Sequence, residues 1–305
     1  MEATLTPGAG GLTRTLNAVF RTAEGGIAWR KLFSILSAGL AIMVWLTYTM
    51  WRGNPTDAWD FFVDPVRPYA TEDVHHFAYS PAFAQAIAPF HLLGFDAYVA
   101  AQRGVELVCA FWLAGPVLPI ALFLPPVAVE INATNINLIL VTAIALGFRW
   151  PAFWSIVLLT KPTMGIGLLW FVLRREWRAL AIALGVTLAI AGVSFVLNPS
   201  AWIQYPQAVF AIDATPGWPF PWPIWMRLPV AVPLVIWGAR TNRPWAAALG
   251  AMLAAPRLYF LSPVMLLGLM PLLPNAGFAK RIPAFTRAPK APLEVVPDPA
   301  PNPIV

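Results

Sequence analysis

PAFWSIVLLTKPTMGIGLLWFVL, residues 151–173, carries a single charge, Lys161, with Pro162 directly behind it. A charge in the hydrocarbon of a bilayer costs at least ~2.5 kcal/mol, so it persists where it pairs with another group or faces a wet cavity. The proline removes a helical backbone donor at the same point. A lysine beside a broken helix marks a candidate functional site; the plainer reading is a lysine snorkelling from a helix end to the headgroups. Two topologies are open. As one span, the run puts Arg149 and the Arg174, Arg175, Arg178 cluster on opposite sides, against the tendency of basic residues to stay cytoplasmic. As a hairpin turning at Lys161–Pro162, it puts both sites on one side with Arg240, Arg243 and the basic residues beyond 279, so that fourteen of the twenty Lys and Arg lie inside. The hairpin is favoured. Its arms of about 12 residues reach ~18 Å into a ~30 Å core, which places Lys161 at the floor of a depression open to the outer side.

The rest of the chain fits that setting. Of 305 residues, 59% are hydrophobic and 11% charged, whereas soluble domains carry ~25% charged residues. The chain is read as an all-α, polytopic integral membrane protein with about ten hydrophobic segments. Residues 1–31 are expected to be a disordered cytoplasmic arm, residues 32–274 the transmembrane domain, and residues 275–305 a Pro-rich cytoplasmic tail. Residues 32–50 read as an uncleaved anchor, residues 77–93 as lying partly along the membrane surface, and residues 198–223 as a long outer loop. The net charge of +6 marks cytoplasmic loops and does not imply a nucleic-acid partner. Cys109 is the only cysteine, which excludes an intrachain disulfide and a cysteine metal cluster. Neither GxGxxG nor GxxxxGK[ST] occurs, so a soluble nucleotide-binding domain is not supported.

Polar chemistry gathers on the outer side. Residues 51–76 hold five of the fourteen acidic residues, among them Asp57 and Asp60, which share one face if the segment is helical. A carboxylate there can act as a general base toward a hydroxyl; alone, either is equally a solvated loop charge. Lys161 and Arg257 are cations reached from the same side and suit a phosphate, which in the plane of a membrane belongs to a lipid carrier. Residues 132–137, NATNIN, present three amides that either cap a helix or hydrogen-bond a ligand. Trp202, Trp218, Trp222 and Trp225 read as an interfacial belt, with sugar stacking as the other use. His75 and His76 stand beside Glu72 and Asp73, but adjacent histidines rarely converge on one ion, and no metal is expected.

Several short motifs recur in one order: Asp57 with Phe61, Pro68-Tyr69, Phe77-Ala78-Tyr79-Ser80-Pro81, Thr134-Asn135-Ile136-Asn137-Leu138, Lys161-Pro162, and the basic stretch Arg174 to Leu180. Together they resemble glycosyltransferase family 87 of the GT-C superfamily, whose members are polyprenyl-phosphate-mannose-dependent mannosyltransferases and their relatives. Thr134 and Asn135 stand where the family has glycine and glutamine. The resemblance implies a GT-C-like fold with outer-face loops and a surface helix, in the inner (plasma) membrane, acting on the extracytoplasmic side. It implies transfer of a sugar, mannose first, from a polyprenyl-phosphate donor to a glycolipid or glycan acceptor with inversion, and no cofactor. Lys161 would hold the donor phosphate with Arg257 or Arg103 assisting. Asp57 would be the base with Asp60 second, and Tyr79, Asn135, Asn137 and His76 would contact sugar or acceptor. Two other readings stay open: a lipid-linked sugar flippase, which wants a cation reachable from both faces and an internal repeat, and a non-catalytic scaffold derived from a transferase.

Overall fold

Prolines and glycines cut the apolar sequence into helices of very unequal length. The computed structural model describes residues 29–50, 53–69, 77–213, 219–220 and 222–274. Its helices run Trp29–Met50, Thr56–Phe61, Pro81–Ile87, Phe95–Ala114, Leu118–Leu122, Pro125–Ala133, Asn137–Gly147, Trp154–Thr160, Leu169–Leu173, Trp177–Leu197, Pro199–Asp213, Ile224–Arg240 and Pro244–Leu253. Tighter 3-10 turns join several of them, and the longest, Ser262–Leu272, is a packing element in its own right. Residues Pro219 and Phe220 pair antiparallel with Tyr259 and Leu258 in a two-residue ladder.

Ten hydrophobic segments are not ten spans. Among the described residues three helices are long and apolar enough to cross a membrane: Lys31–Met50, Phe95–Leu122 and Trp177–Leu197. A fourth span is available if Pro125–Ala133 and Asn137–Gly147, bent by 106°, count as one. Pro151–Thr160, Pro162–Leu173, Pro244–Leu253 and Ser262–Leu272 are apolar but short; even at the ~2.0 Å rise of a 3-10 helix none reaches across a ~30 Å core. Hydropathy counts apolar residues, whereas a span needs them in one uninterrupted helix.

The 151–173 run folds back on itself at Lys161. Lys161 leaves the helical region at φ −128°, ψ 76°, and Pro162 starts the returning 3-10 turn. The arms touch so closely that a Cβ on Gly167 would stand 2.3 Å from the Trp154 ring, and one on Gly165 would stand 2.5 Å from Leu158. At the base of the hairpin, Arg174 Nη1 donates to the Ala239 carbonyl at 3.3 Å and Nε pairs with Glu176 at 2.8 Å. The basic stretches around residues 174 and 240 therefore lie together, away from Lys161 at the tip. Trp154, Phe171, Met164, Leu138, Leu140 and Ile144 are wholly buried between the hairpin and Asn137–Gly147 and form the centre of the core.

The expected loop over 198–223 is largely a helix. Asn198 Oδ1 accepts the Ala201 backbone N–H at 3.2 Å, and Pro199 occupies the first turn, where its missing N–H has no partner to lose. Residues 77–93 form the helix Pro81–Ile87 and a 3-10 turn, with Pro81, Ala82, Ala84 and Ile87 buried and Leu92 and Leu93 exposed. The expectations for residues 1–28 and 275–305 lie outside the described residues.

Candidate active site

The site is organised by a bend. Pro125–Ala133 stops at Thr134, which adopts a left-handed conformation (φ 58°), and the chain restarts as a helix at Asn137. A helix that stops inside a membrane protein strands carbonyls that must find donors. Arg103 supplies them. Wholly buried, it donates through Nε to the Ile131 carbonyl at 3.2 Å and to Thr134 Oγ1 at 2.9 Å, and through Nη2 to the Asn132 carbonyl at 2.8 Å. Its Nη1 reaches the Tyr48 carbonyl at 2.8 Å. A cation also suits the negative end of the helix dipole. Arg103→Met removes all of these donations, leaving Ile131 only its bond from the Thr134 N–H, and we expect a loss of about 2–4 kcal/mol of stability, read as a lower Tm in detergent micelles.

The start of Asn137–Gly147 is capped from within the bend. Glu130, also fully buried, accepts the backbone N–H of Asn137 at 2.7 Å and of Leu138 at 3.3 Å on Oε1, and Asn137 Nδ2 at 3.1 Å on Oε2. Asn137 Oδ1 in turn accepts from Lys161 Nζ at 2.8 Å. The intramembrane lysine is thus paired at the hairpin tip and does not trail toward a surface.

Asp57 and Asp60 lie on the short helix Thr56–Phe61, one turn apart. That helix is held by an aromatic cluster: Phe61 meets Tyr79 and Phe83 edge-on at 5.1 and 5.6 Å. It is also tied to the bend, because the Asn54 N–H donates to Asn132 Oδ1 at 3.0 Å. Gly53 before it has φ 53°, and a Cβ there would lie 2.6 Å from the same oxygen. Asn135 Nδ2 donates to Asp57 Oδ2, so the bend grips the carboxylate directly. Burial, and next the charge of Asp60, push the Asp57 carboxyl up from 3.8 to about 6; Lys161 and the Asn135 bond pull the other way.

Arg257 is placed by a second buried arginine. Arg227 donates to the Leu253 carbonyl at 2.7 Å and the Pro256 carbonyl at 2.9 Å, closing the end of Pro244–Leu253 as Arg103 closes the bend. Arg257 Nη1 donates to Tyr259 Oη at 3.3 Å, while its Nη2 is buried without a hydrogen-bond partner.

These pieces meet around one cavity of about 530 Å³. Asp57, Asp60, Tyr79, Asn135, Asn137, Lys161 and Arg257 all line it. Arg103 does not: its guanidinium serves backbone carbonyls behind the bend. His76 lies outside the described residues. Thr163, Tyr205 and Tyr259 join the polar lining, and Val209, Ile224, Phe260 and Leu261 are among the apolar residues that line the rest of the wall. No group of three or more metal-ligating side chains occurs among the described residues.

Residues 77–270 match the sequence profile of glycosyltransferase family 87. The chain belongs to this family. It is thus a membrane glycosyltransferase by family and by its apolar helices. The family 87 match takes in the bend, the Lys161 hairpin and Arg257, whereas Asp57 and Asp60 lie on the N-terminal side of it. No curated protein and no solved structure matches. Glu130 was not among the candidates from sequence, although the rule that singles out Lys161, a charge within an apolar run, applies to it equally. Tyr205 and Tyr259 carried no sequence signal, since only the fold brings them to the cavity.

Proposed function

We propose that this family 87 protein transfers a sugar, mannose first, from a polyprenyl-phosphate donor to a hydroxyl of a glycolipid or glycan, on the extracytoplasmic face of the inner membrane. The observation that carries this reading is the shared cavity: two carboxylates and two cations face one space with an apolar wall at its side. Lys161 and Arg257 take the donor phosphate, and the polyprenyl chain leaves along Val209, Ile224, Phe260 and Leu261. Asp57 accepts the proton of the acceptor hydroxyl, whose oxygen attacks the anomeric carbon as the bond to phosphate oxygen breaks. The lipid phosphate departs with its charge held by the two cations, and a single displacement inverts the anomeric centre. Tyr79, Asn135 and Asn137 offer hydrogen bonds to sugar hydroxyls. Burial, with Asp60 second, keeps Asp57 basic enough to work near neutral pH.

The test is transfer of radiolabelled mannose from polyprenyl-phosphate mannose in membranes containing the wild-type chain, its Asp57→Asn variant or neither. Label reaching a lipid or polymer only with wild type is the expected result. Equal transfer by wild type and empty membranes rejects the reading. The acid limb of kcat/KM should report the base of the free enzyme at about 6, with activity lost as pH falls through that value and Asp57 takes up a proton. Asp60→Asn removes a charge that raises Asp57, so the limb should move to lower pH. A limb that does not move separates it from Asp57.

A further inference from the structure

Glu130 touches neither the cavity nor any reacting group, yet three N–H donors converge on its buried carboxylate. We propose that Glu130 is a positioning residue: it fixes which end of the Asn137 amide faces Lys161, and so where the ammonium stands. The consequence for the donor phosphate rests on the function proposed above.

The argument is one of donors and acceptors. The side-chain amide of asparagine has an NH2 end that donates and an oxygen end that accepts, and half a turn exchanges them. A lysine ammonium only donates. With Nδ2 held on Glu130 Oε2 at 3.1 Å, Oδ1 is the end presented to Lys161 Nζ, at 2.8 Å. Reversed, the amide would set oxygen against carboxylate and NH2 against ammonium, two repulsions at once. The carboxylate is itself fixed, because Oε1 takes the Asn137 and Leu138 backbone N–H groups. The start of the helix thus sets Glu130, Glu130 sets Asn137, and Asn137 sets Lys161. Lys161 lines the cavity, so its stance decides where an anion is met.

A reciprocal swap tests this. Glu130→Gln keeps an oxygen for the two backbone N–H groups, so the helix start stays capped. Its new NH2, however, demands the Asn137 oxygen and turns the Asn137 NH2 toward Lys161. KM for polyprenyl-phosphate mannose should rise roughly ten- to hundredfold, and Tm in detergent micelles should fall. Adding Asn137→Asp supplies oxygens to both neighbours and restores the original net charge. The double variant should recover wild-type Tm and regain part of the KM lost in Glu130→Gln, the remainder reporting the substrate contact that Asn137 itself makes. A purely structural role for Glu130 predicts no such recovery. Where wild type is active, a double variant no better than Glu130→Gln in either readout overturns the proposal, as does a Glu130→Gln variant indistinguishable from wild type. The melting cycle needs no substrate. If wild type transfers no sugar, the functional reading falls, and recovery or non-recovery of Tm alone decides the amide orientation.

Discussion

Asp57→Asn should lower kcat by roughly a hundredfold to ten-thousandfold, the range set by loss of a general base. The substitution keeps shape and keeps an oxygen that can accept from Asn135 Nδ2, so the contact with the bend survives. It also removes the repulsion with Asp60 that the buried carboxylate now bears. Folding should therefore be unimpaired, with Tm at or above that of wild type. Donor KM should stay within a few-fold, because in the proposed reading the donor phosphate is met by Lys161 and Arg257 and not by Asp57. Loss of kcat with donor binding intact identifies the base. A variant that keeps a tenth or more of wild-type kcat would assign proton removal elsewhere, and Asp57→Asn/Asp60→Asn would then ask whether Asp60 has taken over.

Lys161→Met should reduce kcat/KM by roughly a hundredfold to a thousandfold, since in the proposed reading its cation is a preorganised electrostatic stabiliser of the departing phosphate. The side chain is of similar length, so the hairpin tip keeps its bulk, but Asn137 Oδ1 loses its donor. A second signature distinguishes this variant from a general collapse of the site. Lys161 lowers the Asp57 pKa, and its removal should move the acid limb of kcat/KM above the wild-type position near 6. That shift is opposite in sign to the one expected for Asp60→Asn. Reduced activity with an unmoved limb would mean that Lys161 and Asp57 do not share a field. Lys161→Arg should rescue only in part, because a planar guanidinium cannot take the compact position of an ammonium beside Asn137.

Local logic made much of this site legible. The hairpin followed from the placement of basic residues around 149 and 174, and the Asp57–Asp60 pair from a one-turn spacing that needs only a short helix to become a shared face. What stayed hidden was tertiary. Arg103 looks like a ligand-binding cation in sequence, but the carbonyl it serves at Asn132 is 29 residues away and lies at a helix end made by the bend at Thr134. The bend itself could not be told from a cap, since NATNIN is written with the same letters in either case. The helix Pro199–Asp213 was missed for the opposite reason. Asn198-Pro199 is a helix-start signal, yet the tryptophans and prolines after it resemble an interfacial loop. The number of spans was overcounted because apolar composition is silent about where backbone hydrogen bonding is interrupted.

Asn135 holds Asp57 and Asn137 holds Lys161, two residues apart in one short stretch of backbone. The two asparagines are therefore spaced by covalent bonds, whatever the packing between the helices around them. Asp57 and Lys161 come from two different elements, the helix Thr56–Phe61 and the hairpin tip, and each is tied to that stretch by a side-chain hydrogen bond. In the proposed reading, one short bend acts as the common datum for both ends of the reaction, so a lipid that loosens the outer helices disturbs their register only if it breaks one of two hydrogen bonds.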